Sequence, residues 1–109
     1  MQEPTFLILT ALAARPLHGY GIVQSVVELS DGEVKLRPGT LYGALDRLDQ
    51  QGLIAVDREE PVDGRLRRYY RLSDSGAAAL TEQVERLRRR ATAADTQLRL
   101  RPGAVGGAA

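Results

Sequence analysis

Four arginines, Arg65, Arg67, Arg68 and Arg71, crowd one short stretch directly after the turn residues Asp63-Gly64. A guanidinium is planar and always charged, and its fork of donors matches two phosphate oxygens at once. Such a cluster binds phosphate; it does not move protons. Upstream, Thr40, Tyr42, Gly43 and Arg47 follow Pro38-Gly39. They combine small side chains with hydrogen-bonding groups, as a surface that reads another molecule at close range requires. Catalytic chemistry finds no comparable set. His18 is the only histidine and cysteine is absent. Glu59-Glu60 has no nucleophile, metal ligand or glycine-rich loop beside it. The chain therefore reads as a binding protein and not an enzyme, with no metal and no cofactor.

At 109 residues the chain suits one small domain, whose core would gain from a partner surface. The net charge of +1 favours no partner by itself, but its distribution is uneven. Through Glu33 the chain is mildly acidic, and from Lys35 to Arg71 bases outnumber acids. Lys35 is the only lysine, so 14 of the 15 basic residues are arginine, the better phosphate ligand. No apolar run is long enough to cross a membrane. Met1-Gln2-Glu3-Pro4 does not resemble a secretory leader, and the lack of cysteine fits a reducing compartment. The expected address is cytoplasmic, with no membrane partner.

The elements that must position these residues follow from periodicity. Glu3 to Ala14 is nearly all apolar and predicts a buried helix, ended by Arg15-Pro16. A second helix is expected from about Gly19 to Glu28, with Ile22, Val23, Val26 and Val27 inward and Ser30-Asp31-Gly32 closing it. Val34 to Arg37 reads as a short extended piece. In the third helix Leu41, Ala44, Leu45 and Leu48 form one dry stripe, and Gly52 supplies the stop. Gly43, Asp46, Arg47 and Gln50 lie opposite, with Thr40 and Tyr42 at the margins. A hairpin comes next. Leu53 to Val56 opens it, Pro61-Val62-Asp63-Gly64 turns it, and Arg65 to Leu72 returns. Period-two alternation puts Leu66, Arg68, Tyr70 and Leu72 on one face and Arg65, Arg67, Tyr69 and Arg71 on the other.

Ser73 should cap a last helix whose apolar positions are Ala77, Leu80, Val84, Leu87, Ala91, Ala94 and Leu98. Alternating steps of three and four make this a heptad seam, the pattern of a helix that packs on one other helix. Leu80, Val84, Leu87, Ala91, Ala94 and Leu98 are the expected dimer contacts. Arg86 to Arg90 reads as the solvated flank of that seam.

The fold class is mainly α with a small β-hairpin, a winged helix-turn-helix followed by a C-terminal dimerisation helix. The DNA-binding domain is expected at 1–72, the dimerisation helix at 73–100 and a disordered tail at 101–109. Winged helices set the third helix in the major groove and the ribbon beside it. Several residues keep two readings. Arg65, Arg67 and Arg68 either grip phosphate or are balanced by Asp57, Glu59, Glu60 and Asp63 across the hairpin. Tyr42 either meets DNA or braces the core, and Tyr20 either touches phosphate or packs on the third helix. His18 reads as a helix-start residue.

The stretch Pro38-Gly39-Thr40-Leu41-Tyr42-Gly43-Ala44-Leu45-Asp46-Arg47-Leu48, continued by Gln51-Gly52-Leu53-Ile54, resembles the signature of the PadR family of transcriptional regulators. His18-Gly19-Tyr20-Gly21-Ile22 and Arg68-Tyr69-Tyr70-Arg71-Leu72-Ser73-Asp74-Ser75-Gly76 are similar to two further motifs of that family, in the same order. The resemblance covers residues 5 to 80. It implies a homodimeric repressor that binds double-stranded DNA at a palindromic operator. It also implies a small-molecule effector, of unidentified chemistry, that releases the DNA. By position it assigns DNA contact to Thr40, Tyr42, Gly43 and Arg47 in the third helix and to Arg65, Arg67 and Arg68 in the wing. Gly43 stands where proline is frequent in the family, and the single C-terminal helix matches its compact branch. The alternative reading is a winged-helix protein-interaction module without DNA affinity.

Overall fold

A computed structural model describes residues 1–103. Four helices and three short strands follow in order: α1 Glu3–Ala14, β1 Leu17–His18, α2 Gly19–Leu29, α3 Pro38–Gln50, β2 Ile54–Val62, β3 Arg65–Leu72 and α4 Asp74–Leu100. The strands form one antiparallel sheet in the order β1-β3-β2. Positions 104–109 of the expected disordered tail lie outside the described residues.

The core forms where the apolar stripes of the first three helices converge. Leu7, Ile8, Leu9 and Leu12 of α1 meet Ile22 and Val26 of α2 and Leu41, Leu45 and Leu48 of α3, closed by Ile54 and Tyr70 of the sheet. Each helix boundary has a local cause. The extended backbone at Arg15, ahead of Pro16, ends α1. His18 starts α2 by accepting the Gly21 amide on Nδ1 at 3.1 Å. This is the helix-start role its position suggested. Asp31 and Gly32 close the helix with φ of 54° and 82°.

Two expectations need correction. Val34 to Arg37 is not a strand: Val34 gives its amide to the Ser30 hydroxyl at 2.9 Å, and Leu36 turns into the core. The third strand is Leu17–His18, which pairs with Tyr70 and Tyr69 on the edge of β3 that the hairpin leaves free. The wing turn is also tighter than the four residues expected. Pro61 and Val62 belong to β2, and Asp63 and Gly64 alone reverse the chain with φ of 50° and 78°. Positive φ at both positions matches the right-handed twist of the strands, and Asp-Gly supplies it at low cost. Pro61 is tolerated because β2 is an edge strand.

A bulge interrupts β2. Val56 faces Tyr70 and Arg58 faces Tyr69, which leaves Asp57 as an extra residue. Alternation therefore resets. Ile54 and Val56 follow Leu72 and Tyr70 on one side of the ladder, whereas beyond the bulge Arg58 and Glu60 follow Tyr69 and Arg67 on the other.

Ser73 fastens α4 to the sheet. Its hydroxyl accepts the Gly76 amide at 3.0 Å and donates to the Gly52 carbonyl at 2.6 Å. Gly76 then passes so close to the Leu53 carbonyl that a β-carbon would overlap it. Leu80 packs on the core of its own chain, and Gln83 is buried, its Oε1 accepting from Arg86 at 3.0 Å. From Leu87 to Leu100 every residue is exposed. The helix thus projects from the body, giving a molecule 64 Å long and only 27 by 21 Å across.

Candidate nucleic-acid interface

Between α3 and the hairpin lies a cleft of about 1080 Å³, with Tyr42 and Asp46 on the helix side and Arg65, Leu66, Arg67 and Arg68 on the wing side. His18, Gly19 and Tyr20 form its floor at the start of α2. Helix α3 presents an open end here. Arg37, its N-cap, makes no side-chain capping bond, and Pro38 begins the first turn. Gly39, Thr40, Tyr42 and Gly43 are all exposed. Around Gly39 and Gly43 a β-carbon would meet no atom within 4 Å, so packing within the chain does not require glycine at either position.

Tyr42 is seated on the body of the protein and open to the cleft at the same time. A β-carbon on buried Gly19 would stand 2.6 Å from the Tyr42 hydroxyl and 3.2 Å from its ring, so the side chain lies tightly across the start of α2. It is nevertheless 50% exposed toward the cleft. Tyr20 is 68% exposed and lines the same cleft. Arg47 is not brought to the wing. It shares the exposed face of α3 with Thr40 and Gly43, but opens onto a separate depression beside Met1, Gln2 and Thr5. The α3 charge that does face the wing is Asp46.

The wing arginines differ in how they are partnered. Arg68 lies 3.7 Å from Glu59. The Tyr70 hydroxyl, above all, and then the charges of Glu59 and Asp46 hold its guanidinium more firmly protonated than usual. Arg65 and Arg67, among the described residues, have no carboxylate within 4 Å. The expected neutralisation across the hairpin therefore reaches only Arg68. Asp57 and Glu60 are taken by Arg58, at 2.9 and 2.7 Å. The His18 ring sits edge-on to Tyr69 at 5.3 Å. Partial burial, and after it the charge of Arg67, depresses its pKa, in keeping with an Nδ1 that accepts from the Gly21 amide.

Sequence reasoning passed over two contributors to the cleft, the Gly19 seat for Tyr42 and strand β1, and misplaced Arg58 on the hairpin. The bulge hid Arg58, because strict alternation puts it on the wrong face of β2. The glycine in the Gly19-Tyr20-Gly21 run was a visible signal, but its neighbour Tyr42 is distant in sequence.

Three helices, a hairpin wing and an open third-helix end facing that wing define a winged helix-turn-helix regulator. The chain belongs to the PadR-like family of transcriptional regulators, whose model matches residues 8–82. A transcriptional regulator of Mycobacterium tuberculosis is 45% identical over 75 residues, which cover 69% of this chain and 66% of that protein. The match thus spans just under two thirds of that relative's length. Among solved structures, a PadR family transcription regulator from Clostridium difficile superposes with a TM-score of 0.76 at 27% identity, covering 89% of this chain and 99% of the other. Bacillus subtilis PadR, solved in complex with operator DNA, gives a TM-score of 0.68 at 24% identity over 76% of this chain and 47% of that one, a likeness of fold. None of the described helices is long and apolar enough to cross a membrane.

Proposed function

We propose that the chain is a DNA-binding repressor that acts as a homodimer on a palindromic operator. The observation that carries this reading is the open α3 end and the unpaired Arg65 and Arg67 facing one cleft. The first-turn amides and small residues of α3 can approach base edges without steric resistance, and helix N-termini favour phosphate. Arg65 and Arg67 supply fixed positive charge for the backbone outside the groove. The Bacillus subtilis neighbour, which was solved on operator DNA, has the same fold and supports this reading. The exposed seam at Leu87, Ala91, Ala94 and Leu98 provides a surface by which two copies set two reading heads on one duplex.

The acids Asp46 and Glu59 face the same cleft and would suit a protein partner, but Glu59 lies 3.7 Å from Arg68, and Arg65 and Arg67 remain available. Fluorescence anisotropy with duplex from upstream of the gene and with scrambled duplex separates the two functions. Affinity should fall steeply with salt, with a slope of about 0.9 per phosphate contact. Arg67→Ala should weaken both duplexes alike, whereas Thr40→Ala should mainly reduce the preference for the upstream DNA. Salt-insensitive or absent binding to both duplexes overturns the proposal in favour of a protein-interaction module.

A further inference from the structure

Glu60 stands directly across the ladder from Arg67 and on the same face of the hairpin. Opposed residues on one face have β-carbons about 5 Å apart, so a glutamate and an arginine there ordinarily pair. They do not. Glu60 turns along its own strand to Arg58, whose Nε lies 2.7 Å from its Oε1. The other arm of Arg58 takes Asp57 at 2.9 Å, the residue that the bulge adds. The Arg58 guanidinium is itself laid on the Tyr69 ring, 3.9 Å from its centre, which holds the fork in place. One cation thereby occupies the carboxylate that faces Arg67 across the ladder, with Asp57 as its second anchor, and Arg67 keeps its charge facing the cleft.

We propose that Arg58 is a positioning residue for nucleic-acid binding: it withholds Glu60 from Arg67, so that Arg67 is free for a DNA phosphate. The inference deepens the DNA-binding reading above and rests on it. Without Arg58, Glu60 falls back on its cross-strand neighbour, and a phosphate must displace a carboxylate before it reaches Arg67. An exposed pair of this kind shifts an equilibrium by a few-fold at most, and the effect is squared when two copies bind one duplex.

A mixed-sequence duplex is the appropriate probe, since phosphate contact carries no sequence information. Anisotropy titrations over a range of salt would compare wild type, Arg58→Ala, the Asp57→Asn/Glu60→Gln pair and the triple variant, each checked for its melting temperature. Arg58→Ala should lower affinity about tenfold at low salt and flatten the salt slope by about 0.9 per copy. In the background lacking both carboxylates, the same step should change affinity less than about twofold. If Arg58→Ala melts early, Arg58→Gln takes its place in the cycle, retaining a stem over Tyr69. No loss on removing Arg58 overturns the inference. An equal loss in both backgrounds overturns it as well, because Arg58 would then touch DNA itself or merely prop the strand. Failure of wild type to bind the duplex in a salt-dependent way is the distinct outcome that removes the DNA-binding reading, and the inference with it.

Discussion

Tyr42 is the residue whose position most depends on a neighbour remote in sequence. Its hydroxyl lies where any side chain on Gly19 would begin, so the glycine sets the ring's height above α2. The nearest atom is the far end of a side chain that can swing. Gly19→Ala should therefore fold with a melting temperature near that of wild type while pushing Tyr42 outward. The expected outcome is a loss of operator preference of about tenfold, the scale of one mispositioned contact, with affinity for scrambled duplex almost unchanged. Anisotropy on the two duplexes measures it. A large drop in melting temperature would show instead that the contact is structural and that Tyr42 is a brace. His18 shows the opposite kind of legibility. Its helix-start role was evident from its place ahead of Gly19-Tyr20-Gly21, because capping is a local interaction.

At the scale of elements, what the sequence revealed and what it hid divide along the same line. Helix α3 was legible because a dry stripe at helical spacing has one solution, and Leu41, Ala44, Leu45 and Leu48 are all buried as that spacing requires; α1 was legible from a dense apolar run stopped by Arg15-Pro16. Strand β1 was not legible. Its two residues carry no periodicity, and it exists only because β3 has a free edge within reach. The bulge at Asp57 was hidden for a related reason: it changes which face each later residue takes without changing composition. The heptad pattern of α4 could not show that Leu80 is used by its own core. Helix α3 also carries a cost that its packing does not explain. Gly43 sits inside the helix, exposed, with open space where a methyl group would go. Alanine there should stabilise the protein by about 0.5–1 kcal/mol, since glycine loses more backbone entropy in a helix. If the bare helix surface lets DNA come close, Gly43→Ala should raise the melting temperature and weaken operator binding together. Thermal melts and anisotropy on one preparation check both, and a stabilised variant with unchanged binding would remove Gly43 from the interface.

The molecule as a whole is a compact reading head with a long lever. Its core closes without the last four turns of α4, where Leu87 is 42% and Leu98 58% exposed. An exposed helix of that length is marginal in water by itself, and propensity alone does not select leucine at those two positions. The seam is satisfied if a second copy supplies the matching stripe. Two reading heads joined by α4 would then meet half-sites about one helical turn of DNA apart. The residues nearest the body, Leu80 and Val84, are already partly covered, so the apolar surface left open to a second copy is the stretch between Leu87 and Leu98. Substituting Leu87→Glu together with Leu98→Glu places like charges across that contact while touching nothing in the core. The double variant should sediment as a monomer at concentrations where wild type sediments as a dimer, with an unchanged near-ultraviolet spectrum from the tyrosines of the body. Its salt slope on upstream duplex should fall by about half, because each copy brings its own set of phosphate contacts. A variant that remains dimeric would move the interface off the distal half of α4, toward α1 and the covered part of the helix.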